Sequence, residues 1–325
     1  MNRARKLLLA RCAGASWLLV GLLLAPLLAV RAATLQAQEW SEFRSARQSH
    51  SITESFALEI VYGAGVLEIE PAAGELLYDL RMTYDSRNFK PVRRWDLTDG
   101  RARLKVGLTT AGDGGDWIEA LSSEDVDDGD FDPELSFNLG DLRELDESSG
   151  TLRLRLGQRL PTDLKLTIGA AKSKIELGGV VLSRFEITTG ASDTELSFST
   201  PSPVRMAELV IRVGAAEIRT KGLGNARFER FELTSGVGDV VLDFTGAWDG
   251  NATGTIRMGI GSLKLRLPAD LGVWIRKSTF LTSFNAPGFR KVDDGYRSPS
   301  WAGAEHHFEL QLDTALGAID VELVP

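Results

Sequence analysis

Apolar and polar residues alternate with a period of two along most of this chain, and one phrase is written five times. It reads LKLTIGAAKSKIEL from Leu164, FEITTGASDTELSF from Phe185, LVIRVGAAEIRT from Leu209, FELTSGVGDVVLDF from Phe231 and TIRMGIGSLKLRL from Thr255. Each copy is an alternating run, a glycine, a few small or polar residues and a second alternating run. The glycines Gly169, Gly190, Gly214, Gly236 and Gly259 lie 21, 24, 22 and 23 residues apart, a spacing that marks stacked repeats.

In the second runs the apolar residues keep one parity: Ile175 and Leu177; Leu196 and Phe198; Val240, Leu242 and Phe244; Leu263, Leu265 and Leu267; Ile319, Val321 and Leu323. Glu176, Ser197, Asp243, Lys264, Arg266, Asp320 and Glu322 fall between them, so each run has one face to bury and one to wet. A single copy cannot bury its apolar face, and a repeat this short cannot hold a helix. The pattern predicts an all-β chain, a β-solenoid with one rung of about 21–24 residues per repeat and glycines at the corners. A meandering β-sandwich, which also shows regular short strands with turn signals, is the alternative.

The phrase recurs outside the five copies. FALEIVYGAGVLEIE from Phe56 is centred on Gly63 and Gly65, and HFELQLDTALGAIDVEL from His307 on Gly317. Alternation also predicts strands over Leu76–Tyr84, Val92–Leu97, Ala102–Leu108, Leu135–Leu139 and Leu152–Leu156, and in VWIR from Val273 and STFLTSF from Ser278. The expected organisation is a signal peptide over 1–32, a polar lead-in over 33–50 and a small β module over 51–109. An acidic insertion over 110–150 and a solenoid repeat domain over 151–325 follow.

The N-terminus sets the cellular address. Arg3, Arg5 and Lys6 precede an uncharged run from Cys12 to Val30 that contains Pro26, and Val30-Arg31-Ala32 supplies a small-residue cleavage site. The expectation is export to the periplasm or cell surface with cleavage after Ala32; an uncleaved N-terminal anchor is the alternative. Cys12 is the chain's single cysteine, so the exported part is expected to hold together without disulfides.

Charge is concentrated in one place. Residues 112–150 carry 14 acidic side chains and one base, Arg143, while the rest of the chain after residue 32 has 31 of each sign. No basic face is left for nucleic acid. Within the segment, Asp128, Asp130, Asp132 and Glu134 alternate in a way that would wrap oxygen ligands around calcium, although the glycine and distal glutamate of an EF-hand are absent. A solvated acidic loop is the plainer reading.

Other chemistry is sparse. His306 and His307 are neighbours expected to point to opposite faces, and with His50 as the remaining histidine they do not suggest zinc. Asp193, Asp239 and Asp243 are the nearest approach to convergent carboxylates, but they recur because the repeat recurs. Trp117, Trp248 and Trp301 fall in loops or turns suited to stacking on sugars or partners, against a plainer role in core or caps.

The segment VYGAGVLEIEPAAGELLYDLRMTYDSRNFKPVRRW and the glycine-centred strand pairs after it resemble the N-terminal module of toast-rack proteins. The repeats and the closing GFRKVDDGYRS…HHFELQLDTALGAIDVEL resemble the putative-adhesin and LiaF-like C-terminal domains of bacterial envelope proteins. The resemblance spans about residues 50–325. It implies a right-handed β-solenoid in a bacterial cell envelope and, in LiaF-like members, a part in sensing or restraining envelope-stress signalling. This chain has one N-terminal hydrophobic run where those members have several membrane helices. The resemblance brings no catalytic residues. The expectation is therefore a non-enzymatic envelope scaffold without a cofactor, binding an envelope protein or a surface glycan. A carbohydrate-active enzyme on a β-helix and a calcium-dependent adhesin are the alternatives.

Overall fold

The computed structural model describes residues 39–110 and 150–325, and among them forms fifteen strands and one short 3-10 turn, Leu223–Ala226. Eight strands are long: β2 (Ser55–Ala72), β7 (Thr162–Glu176), β8 (Leu182–Ser197), β9 (Met206–Lys221), β10 (Phe228–Asp243), β11 (Ala252–Pro268), β12 (Gly272–Asn285) and β15 (His307–Val324). They lie side by side in the order β2-β7-β8-β9-β10-β11-β15-β12, every neighbouring pair parallel.

Connection lengths show that each long strand is bent. Straight, the 15 residues of β7 would span about 50 Å. Residues 177–181 then lead to Leu182, which lies beside Thr162 at the start of β7. A link of that length reaches only about 20 Å, so the strand must fold back midway. The bend sits where burial changes parity: in β8, Phe185, Ile187 and Thr189 are buried before Gly190, and Ser192, Thr194 and Leu196 after it. Each strand is thus a rung of two arms facing each other across a core. A sandwich meander would pair successive strands antiparallel through hairpins. Here successive strands are parallel and in register, and the fold is a β-solenoid.

Stacking is obligatory. Phe185, Ile187, Leu196 and Phe198 of one rung are buried within the stack, and the backbone of β8 is hydrogen-bonded to β7 on one side and β9 on the other. Aromatic packing is densest around Phe228, whose ring lies 5.5 Å from Trp248, 5.6 Å from Phe231, 5.9 Å from Phe308 and 6.2 Å from Phe244.

Both ends depart from simple succession. β5 (Arg101–Thr110) pairs with the first arm of β2 and β6 (Thr151–Gly157) with its second arm, so together they form an outer rung that lies beyond β2. β4 (Phe89–Thr98) closes the first arm against β5. β3 (Leu76–Asp85) and then β1 (Trp40–Gln48) close the second arm against β6. At the other end β15, last in sequence, slots between β11 and β12. There β14 (Gly295–Arg297) covers Trp274–Arg276 of β12, and β13 (Arg290–Val292) covers β14.

Within residues 51–109, β2 is itself a rung, hydrogen-bonded to β7 from Phe56 to Ile69. The polar lead-in over 33–50 contains the edge strand β1, which the sequence hides because Phe43 is the one large apolar residue on its half-buried face. The signal segment, Leu135–Leu139 and the acidic insertion lie outside the described residues.

Candidate functional site

The corner of the solenoid is where the rungs differ from one another. Its first column holds Gly169, Gly190, Gly214, Gly236 and Gly259, with Gly63 of β2 in line with them. The backbones there approach too closely for side chains: a Cβ at Gly236 would stand 2.5 Å from the Gly214 carbonyl oxygen. Gly317 is not in this column. Its ladder partner is Gly261, and Ala315 takes the place opposite Gly259. Gly261 and Gly317 lie at φ 148° and 144°, a region essentially restricted to glycine.

Between the two glycine positions each rung carries one corner residue. In the early rungs it is small: Ala64, Ala170, Ala191 and Ala215, of which Ala170 and Ala191 are buried. In the later ones it is Val237, Ile260, Leu316 and Leu281, which are 46%, 49%, 43% and 63% exposed. At the rung spacing of ~4.8 Å these four form an apolar ridge about 14 Å long. Phe280, beside Leu281, is 83% exposed. Periodicity identified the rungs, but these residues were passed over; the change from alanine to large aliphatics along one register position is the signal that would have found them.

The rest of the outer surface is knitted by ion pairs from rung to rung. Arg212 reaches Glu186 at 2.8 Å, Arg184 reaches Glu208 at 3.0 Å, and Lys264 reaches Glu322 at 3.1 Å. Such half-exposed pairs contribute at most about 1 kcal/mol each.

The candidate carboxylates are tied into the same network. Asp193, Glu217 and Asp239 share one outward column, with Arg219 held by Asp193 at 3.6 Å and also by Glu217, and the Ser262 hydroxyl donating to Asp239 at 2.5 Å. Asp243 stands further along its rung, accepting from Arg266 at 2.8 Å and from the Thr245 hydroxyl at 2.6 Å. Although alternation assigned Asp243 to the wet face, these partners bury it.

Glu176, read from sequence only as an outward residue, caps the turn between two rungs. It accepts hydrogen bonds from the Gly178 amide, the Ser197 hydroxyl and both the amide and hydroxyl of Ser199. Burial pushes its carboxyl up, but these donors outweigh it and hold the group below the usual carboxylate range.

The histidines do not converge on a shared ligand. His307 Nε2 lies 3.0 Å from the Trp301 carbonyl oxygen, and its ring stacks edge-on to Trp301 at 4.7 Å. Trp274 sits under Arg276 and Arg297, at 4.8 and 4.9 Å. Trp248 is partly buried against the core, and its indole donates to the Phe244 carbonyl. Trp117 and the calcium candidates Asp128, Asp130, Asp132 and Glu134 lie outside the described residues. The segment that carries them joins β5, paired with β2 up to Val61, to β6, paired from Val66. Among the described residues no group of three or more His, Asp or Glu is arranged to hold a metal.

Residues 132–220 match the model of the N-terminal domain of toast_rack, DUF2154. The match covers about a quarter of the chain. Its described part is β6 to β9, which includes glycine-centred strand pairs of the sequence resemblance. Solved structures align with the chain, among them two bacterial proteins. A "putative cell adhesion protein" from Clostridium sporogenes ATCC 15579 shares 19% identity over 88% of this chain and 100% of its own, with a TM-score of 0.43. A "putative adhesin" from Bacteroides fragilis NCTC 9343 shares 8% identity over 88% and 98%, with a TM-score of 0.30. No curated protein matches the chain.

Proposed function

We propose that this toast-rack chain is an exported, non-enzymatic scaffold of the bacterial cell envelope that holds an envelope protein against its corner. The observation that carries the reading is the ridge Val237, Ile260 and Leu316, three large aliphatics exposed side by side on one corner of rungs whose outer faces carry ion pairs. A contiguous exposed apolar stripe rimmed by polar residues is the signature of a protein-binding surface, and it suits a protein better than a glycan. Export rests on the basic start and the Cys12–Val30 apolar run. Among the described residues no helix is long and apolar enough to cross a membrane. The resemblance to LiaF-like domains supports looking for that partner among components of envelope-stress signalling.

The test is capture from envelope extracts by the immobilised wild-type protein and by the double variant V237K/I260K. Both positions face water, so the variant is expected to fold with an unchanged melting temperature and to lose a protein that the wild type retains. Equal capture by both would remove the ridge from the account. Turnover on a polysaccharide panel, abolished by changing Asp239 and Asp243, would replace the scaffold with an enzyme.

A further inference from the structure

Among the described residues four strand edges are left open, and three are defended by charge. β1 carries Glu42, Arg44 and Arg47; β4 carries Lys90, Pro91, Arg93 and Arg94; β13 carries Arg290 and Lys291. Charge and proline on an edge are the usual protection against pairing with another chain. The fourth edge belongs to the last rung, β12, whose inner side pairs with β15. Its outer side is covered by β14 only at Trp274–Arg276. From Lys277 to Asn285 the backbone donors and acceptors of that side face outward, and from Ser278 onward the sequence STFLTSFN has no charge. The two most exposed large apolar side chains of the described residues, Phe280 and Leu281, stand on this stretch.

We infer that this edge pairs with the same edge of a second copy, antiparallel about a two-fold axis through Leu281. Three observations choose the copy over another occupant. The free stretch is nine residues long with Leu281 at its centre, and Leu281 is the corner residue of the rung. A two-fold there lays corner on corner, so the two bent strands follow each other along both arms. The ends also fit: the ladder runs from Lys277 opposite Asn285 to its symmetry mate and stops where β14 occupies Arg276 and where Pro287, lacking an N–H, comes two residues after Asn285. Finally, no like charges meet. Phe280 faces Thr282, Thr279 faces Ser283, Ser278 faces Phe284, and Lys277 faces the neutral Asn285. The antiparallel direction is the one β14 already takes on this edge.

Pairing would cover Phe280 and Leu281 of both copies and run the corner ridge unbroken from one solenoid into the other. The contact is smaller than the ~1,600 Å² of a standard interface, so the dimer is a weak, concentration-dependent one. The inference is independent of the functional reading, which rests on Val237, Ile260 and Leu316.

Sedimentation velocity on the purified protein over two decades of concentration tests it. The wild type is expected to pass from monomer to dimer, and L281K, which opposes two like charges on the axis, to weaken dimerisation at least tenfold while keeping the wild-type melting temperature. Cysteine capture gives a second readout. In a Cys12→Ser background, Leu281→Cys should crosslink to itself on oxidation, because facing residues bring their Cβ atoms within disulfide reach. Ser278→Cys should not, since its two copies would lie about 20 Å apart. A wild type that stays monomeric, an L281K variant that dimerises like the wild type, equal crosslinking at both positions, or growth into open filaments each overturns the inference.

Discussion

Gly259 lies flat against Gly236, so that a Cβ on Gly259 would stand 2.5 Å from the Gly236 carbonyl oxygen. The obstacle is backbone held in a parallel ladder on both sides, and no side chain can move to relieve it. Gly259→Ala is expected to cost about 2–3 kcal/mol, the scale of an overpacked core site. Gly303 has open space around its Cβ position, and Gly303→Ala should fall within about 0.5 kcal/mol of the wild type. Urea midpoints compare the two; a neutral Gly259→Ala would mean the corner yields.

Glu176 joins one rung to the turns of two rungs through the Gly178, Ser197 and Ser199 donors. Replacing it by Ala should cost about 1–3 kcal/mol at neutral pH, because those donors lose a charged acceptor. Its folded carboxyl titrates below the ordinary value of 4.5. The stabilisation is therefore complete above that value and is lost as pH falls through the lower folded one. The gap between wild type and variant in urea should close in acid. A gap unchanged at about pH 3 would assign the effect to packing instead.

The Tyr62 hydroxyl is buried with no hydrogen-bond partner among the described residues, and burial pushes its pKa upward. Tyr62→Phe removes the unsatisfied group and keeps the ring, so thermal unfolding should shift upward, equivalent to about 1 kcal/mol. A loss of stability would reveal a partner for the hydroxyl.

Arg266 and Asp243 form a pair with one exposed and one buried member. Arg266→Ala leaves Asp243 with its Thr245 donors but no cation, and about 1–2 kcal/mol should be lost. Arg184→Ala, which removes a cation exposed between Glu186 and Glu208, should cost less than about 1 kcal/mol. Denaturation in high salt separates them: the second effect fades and the first persists.

Much of the solenoid is legible in the chain. A period of two assigns Leu196, Leu242 and Leu265 to the interior, and the glycine spacing gives the rung length. The corner ridge is legible only in retrospect, since Val237, Ile260 and Leu316 look like ordinary members of alternating runs until register lines them up. Gly317 misleads for the same reason: it follows the expected phrase but sits one glycine column along, beside Gly261. Glu176 and Asp243 read as wet-face residues because their donors come from turns and neighbouring rungs.

What the sequence by itself determined is therefore local: strands, inward faces, the repeat length and the places where only glycine fits. These follow from alternation and backbone geometry within each copy. The order of the rungs was decided by the tertiary structure. It set β5 and β6 outside β2, inserted β15 between β11 and β12, and left the second arm of β12 as an uncharged open edge. All rungs present similar apolar faces and backbone ladders to their neighbours. Their order is settled only when the whole stack closes its core, and with it which corner residues and which edge meet solvent.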